Sequence, residues 1–256
     1  MSDGLRIAYE DAGSGPALLF LHGLGSTRRT FDYQVAKLTK SFRCIALDYR
    51  GYGGSQCPPG HALQADSSDR RAISIEAYAR DTVAVMEAAG VRRAHLCGVS
   101  LGGRVAMASW KLARKRVASL VLCDTFAYHA RGDEAIAQRM ALLGELGLVA
   151  ARPKGRGLRS TAIPLGVYIA STHATWRGDF RPVLRTLSVP ACVMWGERDT
   201  ITAPRWMSEE IARLVPSRPR VNIIANAGHV PNVENSEAFN AVVEHFVKHV
   251  ETGRIR

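Results

Sequence analysis

A serine flanked by glycines stands where an apolar run gives way to a helical pattern. Residues Gly98–Gly102 read GVSLG and follow the buried run Ala94–Val99. A serine on a sharp turn from strand to helix adopts a strained backbone conformation that needs small neighbours, which explains the glycines. The turn also places the hydroxyl at the positive end of the helix dipole. The segment therefore predicts Ser100 as a nucleophile for acyl transfer.

Two further residues complete a proton relay behind this serine. Asp199 follows the buried run Ala191–Trp195, and His229 follows the run Arg220–Ile224. An imidazole can take the proton of a serine and return it to a leaving group, while a carboxylate fixes the imidazole tautomer. Each residue lies just past the carboxyl end of a predicted strand, where parallel sheets build their sites. Asp124 also ends a predicted strand and is the alternative acid, but Asp199 has the fuller motif.

A glycine-rich loop, HGLG, follows the predicted strand Ala17–Leu21 and can supply donors for an oxyanion. The backbone N–H of Leu24 in this loop and that of Leu101, the residue after the nucleophile, are the expected pair. His22 lies in the bend itself, so we interpret it as shaping the loop rather than acting as a base.

The elements that must position these residues alternate along the chain. Continuous β-branched runs indicate buried parallel strands, and Leu5–Glu10 alternates like an antiparallel edge strand. The predicted parallel strands are Ala17–Leu21, Arg43–Leu47, Ala94–Val99, Ser119–Asp124, Ala191–Trp195 and Arg220–Ile224. The predicted helices between them are Thr30–Thr39, Ser74–Ala89, Gly102–Lys115, Arg205–Val215 and Ser236–Val250. This alternation predicts an α/β protein with a doubly wound, mostly parallel sheet.

Residues 126–187 break the alternation and are called the inserted segment below. They show three helical pieces, interrupted by an Arg- and Gly-rich connector at 151–160. The pieces are Asp133–Leu146, Leu165–Thr172 and Phe180–Leu187. We expect a core of residues 1–125 and 188–256 with this segment as a helical cap, since such long excursions are usually functional lids.

From residue 4 to 250 the chain resembles the α/β-hydrolase superfamily, in which nucleophile, acid and base follow the same chain order. Residues 48–55 (DYRGYGGS) match its D-x-R-G-x-G-x-S loop. Residues 228–239 match its G-H-x-P-x-x-E-x-P-x-x-F tail, including Glu234, apart from Ser236 at the second proline. The resemblance implies an α/β-hydrolase fold with the cap inserted after the sixth strand, and with Asp48 and Arg50 bracing the site.

The resemblance also implies a cofactor-free serine hydrolase that cleaves a carboxylic ester or lactone of a small substrate through an acyl-enzyme. Chain length and the short cap are similar to 3-oxoadipate enol-lactonases and related esterases, so 3-oxoadipate enol-lactone is one expected substrate. The same triad also serves cofactor-free haloperoxidases or perhydrolases and C–C bond hydrolases, and some members of the fold are binding modules. Dehalogenases and epoxide hydrolases of this fold need a carboxylate nucleophile, which the serine at position 100 excludes.

Composition limits the partners. The net charge is +11, from 34 basic and 23 acidic residues, but the basic residues are spread along the chain, so we expect no nucleic-acid binding. No apolar run is long enough to span a bilayer and no signal peptide opens the chain, which predicts neither membrane anchoring nor secretion. Five scattered cysteines without a C-x-x-C pair, and no metal-ligand spacing, favour a cytoplasmic protein without a metal. The oligomeric state stays open.

The inserted segment carries much of the positive charge. It holds nine basic and four acidic residues, and so contributes close to half of the net charge of the chain. The basic residues are Arg131, Arg139, Arg152, Lys154, Arg156, Arg159, Arg177, Arg181 and Arg185. Positive charge in the roof of a site attracts anions, and the planar guanidinium can bind a carboxylate through two hydrogen bonds. An anionic substrate is therefore one hypothesis, set against the simpler interpretation of solvated surface arginines.

Overall fold

A seven-stranded sheet forms the centre of the computed structural model, which describes residues 4–60, 72–150, 163–200 and 202–255. The strands are β1 (Tyr9–Ala12), β2 (Ala17–Leu21), β3 (Arg43–Leu47), β4 (Ala94–Val99), β5 (Val117–Cys123), β6 (Ala191–Gly196) and β7 (Val221–Ile224). Their spatial order is β1-β3-β2-β4-β5-β6-β7; β1 is antiparallel to β3 and the other neighbours are parallel. The predicted mostly parallel α/β sheet is confirmed.

Helices cover both faces of this sheet. They are α1 (Asp32–Leu38), α2 (Ile75–Ala88), α3 (Leu101–Leu112), α4 (Gly132–Ala150), α5 (Leu165–Trp176), α6 (Arg181–Arg185), α7 (Arg205–Leu214), α8 (Pro231–Glu234) and α9 (Ser236–Glu251). Side chains alternate between faces along a strand, so Leu19 and Leu96 enter one core while Phe20 and Cys97 enter the other. The sheet is therefore buried on both sides, as its continuous apolar strands predict.

The five cysteines are free thiols. Four are buried in the sheet, at Cys44, Cys97, Cys123 and Cys192, and Cys57 is half-buried. Burial raises the pKa of the Cys97 thiol well above its usual range, which keeps it protonated and unreactive. In the described ranges there is no group of three or more His, Cys, Asp or Glu side chains that could hold a metal ion. No helix in those ranges is long and apolar enough to cross a membrane.

The inserted segment contributes α4, α5 and α6 between β5 and β6. Among the described residues five strands precede it, so the insertion follows the fifth strand, one earlier than expected. The reason is that β1 at Tyr9–Ala12 is the first strand, and the described residues ahead of it, from residue 4 on, form none. The connector at 151–160, with four of the nine basic residues, lies outside the described residues. The division into core and cap stays a prediction.

A buried arginine ties the inserted segment to the helix that begins after Ser100. The Arg104 side chain on α3 is fully buried, and its guanidinium donates to the carbonyls of Phe126, Ala127, Arg177 and Gly178. It also lies 4.8 Å from the ring centres of both Phe126 and Phe180. Burial lowers the pKa of Arg104 to about 10, which still leaves it charged at neutral pH. One buried cation thus holds the chain near both ends of the inserted segment.

We predict that Arg104→Met lowers the free energy of unfolding by at least about 3 kcal/mol. The apolar side chain fills similar volume but leaves several buried carbonyls without a donor, at about 1–3 kcal/mol each. Urea denaturation of the variant and the parent measures this difference. A loss below about 1 kcal/mol would show that these carbonyls find other donors.

Candidate active site

Ser100 occupies a left-handed backbone conformation at the junction of β4 and α3. Its φ is 57° and its ψ is −119°, a region that costs a non-glycine residue about 1–3 kcal/mol. Neighbouring backbone fixes the turn: the Ser100 N–H donates to the Cys123 carbonyl over 2.9 Å, and its carbonyl accepts from Thr125 Oγ1 over 2.7 Å. A Cβ at Gly102 would lie 1.9 Å from the Leu21 carbonyl oxygen, which is why this position needs glycine. The predicted nucleophile turn is thus built by close backbone packing.

The structure brings Ser100, His229 and Asp199 into one hydrogen-bonded chain. Ser100 Oγ lies 2.9 Å from His229 Nε2, and His229 Nδ1 lies 2.6 Å from Asp199 Oδ2. Since a carboxylate can only accept, Nδ1 carries the proton and Nε2 accepts from the serine hydroxyl. The Asp199 side chain is 3% exposed and that of His229 15%. The arrangement can therefore move the Ser100 proton to His229 and stabilise the resulting imidazolium.

Backbone donors hold the carboxylate ready for this role. Asp199 follows β6 and accepts from the N–H groups of Thr202 and Ala203. Burial alone would raise its pKa, but the hydrogen bond and charge of His229 and these two N–H groups together lower it. Asp199 is consequently ionised at neutral pH.

Glu234 holds the loop that carries the imidazole. Its carboxylate accepts from the N–H groups of Gly228 and Val230, the two residues that flank His229. The Glu234 carboxylate thus holds the backbone on both sides of His229, which limits the movement of the imidazole ring. This gives a physical role to the glutamate of the predicted tail motif.

Asp124, the alternative acid, lies beside the triad but has different partners. It accepts from the Gly196 N–H over 3.0 and 3.2 Å and from the Cys123 thiol. Burial raises the pKa of Asp124 to about 7, although the charge of His229 and the Gly196 N–H act against that rise. Asp199 rather than Asp124 makes the hydrogen bond to His229, as the sequence favours.

The loop after β2 lies against Ser100. Leu24 is in a turn closed by the Ser26 N–H and the Gly23 carbonyl, and it lines one cavity with Ser100. The N–H of Leu101 is the first of α3, where no carbonyl of the same helix can accept it. The two predicted oxyanion donors therefore belong to elements that meet at Ser100.

His22 stabilises this loop rather than joining the triad. Its Nε2 accepts from the Tyr49 N–H and its Nδ1 donates to the Gly23 carbonyl. Burial lowers the pKa of His22 to about 4, so the ring is neutral.

Nearby, Asp48 accepts from the N–H groups of Arg28 and Gly54, and Arg50 pairs with Asp81 through two hydrogen bonds. These buried contacts brace the loops around the site, as expected from the resemblance.

Two cavities meet at the site. A cavity of about 30 Å³ is lined by Ser100 and His229, and a larger, open one of about 400 Å³ is lined mainly by residues of α4. Both are lined by Arg139, Trp176 and Thr202, so these residues lie between the two cavities. The guanidinium of Arg139 lies 5.8 Å from the Trp176 ring centre.

Similarity to known proteins agrees with this geometry. A sequence model of the alpha/beta hydrolase family matches residues 18–242. The chain belongs to this family. It is 25% identical to 3-oxoadipate enol-lactonase 1 of Acinetobacter baylyi, over 96% of this chain and 94% of that protein. A thermophilic esterase from Thermogutta terrifontis, solved with malate bound, superposes with a TM-score of 0.79 and 27% identity, covering 96% and 94%. An enol-lactonase from Burkholderia xenovorans shares the fold, with a TM-score of 0.79, 23% identity and coverage of 96% and 98%.

The sequence alone does not identify several residues that line the cavities of this hydrolase. Trp176 and Thr202 give no signal, because one lies in an apolar helix and the other in a short loop. Arg139 is one of nine basic residues in the inserted segment, and charge alone does not distinguish the one that lines the cavities. Arg131, Arg177 and Arg181 pair with acidic side chains at the surface. Only the folded structure distinguishes the arginine that lines the cavities from those that pair at the surface.

The raised pKa of Asp124 predicts a pH dependence of stability. Between about pH 4 and 7 the folded carboxyl keeps a proton that the unfolded chain releases, so stability falls as pH rises, by up to about 1.4 kcal/mol per pH unit. The Asp124→Asn side chain does not titrate, so the free energy of unfolding of this variant should fall less between pH 5 and 7 than that of the parent. Urea unfolding at both pH values measures the difference, with the exposed Asp133→Asn as control. Equal pH slopes for Asp124→Asn and the parent would contradict the prediction.

Proposed function

We propose that this hydrolase is a cofactor-free serine enzyme that cleaves a carboxylic ester or lactone of a small substrate through an acyl-enzyme. The observation that carries the proposal is the hydrogen-bonded chain from Ser100 Oγ through His229 to Asp199. Ser100, His229 and Asp199 would be nucleophile, base and acid. The esterase and enol-lactonase among the relatives support the choice of substrate class.

Acylation follows from the position of each group. Ser100 Oγ attacks the ester carbonyl carbon while its proton passes to His229 Nε2, and Asp199 stabilises the imidazolium. The carbonyl oxygen becomes an oxyanion, which the N–H groups of Leu24 and Leu101 would bind. When the C–O bond breaks, His229 returns the proton to the departing alkoxide, leaving an ester on Ser100.

Deacylation repeats these steps with water. Water attacks the acyl carbon and gives one proton to His229 Nε2; the bond to Ser100 Oγ then breaks and His229 reprotonates that oxygen. The acid product leaves and the enzyme is regenerated. Perhydrolysis would use hydrogen peroxide in place of water at this step, and C–C hydrolysis would replace the leaving alkoxide by a carbanion.

The triad predicts a specific pattern of loss. Ser100→Ala should lower kcat for p-nitrophenyl acetate at least about a thousandfold, and Asp199→Asn about a hundredfold or more, because the imidazole loses its orienting partner. Asp124→Asn is the matched control and should stay within about tenfold of the parent. Initial rates, with urea unfolding to check the fold, measure these effects. Parent-like turnover by Ser100→Ala would overturn the proposed function.

An anionic substrate is the finer part of the proposal. Arg139 lines both the cavity at Ser100 and the larger one beside it, so its side chain is placed to meet a group of the substrate remote from the ester. A carboxylate suits it because a guanidinium can donate two parallel hydrogen bonds. The esterase from Thermogutta terrifontis, solved with the dicarboxylate malate, fits this view. We therefore infer a carboxylate-bearing ester or lactone, of which 3-oxoadipate enol-lactone is an example.

Arg139→Gln tests the charge preference. We expect kcat/KM for a carboxylate-bearing ester to fall about tenfold, while that for its methyl-ester analogue changes less than about twofold. The preference of the parent for the charged ester should also shrink as salt rises. Arg185→Gln, an exposed arginine of α6, removes the same charge away from the cavities and should leave the ratio unchanged. Equal losses for both esters would assign Arg139 a structural role.

A further inference from the structure

The peptide group between Gly23 and Leu24 lies next to Ser100. A Cβ built on Gly23 would lie 3.5 Å from Ser100 Cβ, and Leu24 lines the cavity that Ser100 and His229 also line. Leu24 is buried, yet its backbone N–H donates to no acceptor within the described residues. Since buried N–H groups are nearly always paired in proteins, an unpaired one beside Ser100 is available to a ligand.

The carbonyl of the same peptide group has fixed partners. The Gly23 carbonyl accepts from His22 Nδ1 over 2.9 Å and from the Ser26 N–H over 3.3 Å. In a trans peptide the C=O and the following N–H point in opposite directions, and no cis peptide occurs in the described residues. The direction of the Gly23 carbonyl therefore sets the direction of the Leu24 N–H, and His22 makes the shorter of the two hydrogen bonds that fix it.

The contact with Tyr49 determines which nitrogen of His22 carries the proton. The Tyr49 N–H lies 3.2 Å from His22 Nε2. Because an N–H can only donate, Nε2 is the acceptor and Nδ1 holds the proton that it donates to Gly23. A neutral imidazole offers one donor and one acceptor on different sides of a small ring, which is the combination that this buried position needs.

Tyrosine rings hold the imidazole in place. His22 is fully buried, and its ring centre lies 4.2 Å from that of Tyr49 and 5.1 Å from that of Tyr52. Tyr78 stacks on Tyr49 at 4.5 Å, and its hydroxyl lies 2.6 Å from Ser171 Oγ on α5. The imidazole cannot rotate without displacing these rings, so its hydrogen bond to Gly23 is rigid.

We propose that His22 is a positioning residue, which orients the Gly23–Leu24 peptide so that the Leu24 N–H points at the oxyanion formed beside Ser100. The inference rests on the proposed function. If this peptide turned over, its carbonyl would take the place of the N–H, and an acceptor would then face the developing negative charge. His22 acts through the peptide that it holds and not on the reacting atoms. Its effect belongs to the transition state, where the substrate oxygen gains charge.

Two substitutions separate the hydrogen bond to Gly23 from the one to Tyr49. Asn Nδ2 is as many bonds from the backbone as His Nδ1, so His22→Asn can still donate to Gly23 but cannot accept from the Tyr49 N–H. Gln Oε1 is as many bonds from the backbone as His Nε2, so His22→Gln can accept from Tyr49 but loses the donor to Gly23. The two variants thus form a matched pair, each lacking one of the two hydrogen bonds.

The pair should differ in kcat for p-nitrophenyl acetate. We expect His22→Gln to lower kcat about ten- to a hundredfold with KM within about threefold, because an oxyanion donor acts mainly in the transition state. His22→Asn should stay within about tenfold of the parent. His95→Gln controls for the loss of a buried imidazole, since His95 lies near the start of β4, at the opposite end of that strand from Ser100, and its kcat should stay within about twofold. Urea unfolding checks that each variant is folded.

A thionoester reports on the oxyanion donors directly. Sulfur accepts hydrogen bonds more weakly than oxygen, so the preference in kcat/KM for p-nitrophenyl acetate over p-nitrophenyl thionoacetate measures these donors. The preference should fall about tenfold in His22→Gln and be kept in His22→Asn. A purely structural role of His22 would lower the rates for both esters equally and leave the preference unchanged.

The outcomes distinguish this inference from the proposed function. Equal kcat for His22→Gln and His22→Asn, or a parent-like preference in His22→Gln, overturns the role of His22 and leaves the proposed function standing. If His22→Gln does not fold, His22→Asn decides: because its donor to Gly23 is present, a folded variant that loses more than about tenfold in kcat overturns the role. Parent-like turnover by Ser100→Ala would instead overturn the proposed function itself.

Discussion

The strained turn at Ser100 is the constraint on which the rest of the site depends. A serine at φ 57° is held there because β4 lies between β2 and β5, and because the backbone of the turn is bonded to Cys123 and Thr125. The close approach of β2 to Gly102 then brings the loop after β2 against the nucleophile. The position of the hydroxyl is thus set by the most buried part of the sheet, and the other groups are brought to it by longer loops.

Two aspartates near the triad show how local donors decide between charged and neutral carboxyls. Asp199 and Asp124 are both buried at the ends of neighbouring strands. Asp199 has two backbone N–H groups and an imidazole as partners, and these outweigh the effect of burial on its pKa. Asp124 has one N–H and a thiol, so burial dominates. An aspartate at a strand end is therefore not charged or neutral because of its position alone. The number of hydrogen-bond donors around its carboxyl group decides which form it takes.

The sheet, and the proximity of Ser100, His229 and Asp199, could be predicted because buried parallel strands are continuous apolar runs and their carboxyl ends meet at one edge of the sheet. The edge strand was less well predicted: Leu5–Glu10 was expected, but β1 is Tyr9–Ala12, since its largely exposed residues give a weak pattern. The structural positions of Arg104 and Arg139 could not be predicted at all. They depend on burial and on cavities shared between helices, which arise only when segments far apart in the chain meet.

The origins of the two cavities suggest a division of roles within the hydrolase. The walls of the large cavity come mainly from the inserted segment, which Arg104 holds to α3 near both of its ends. Ser100, Asp199 and His229 lie outside that segment, at the carboxyl edge of the sheet. Substitutions in α4 would therefore reshape the large cavity without moving Ser100 or His229, because these two residues lie on other parts of the chain.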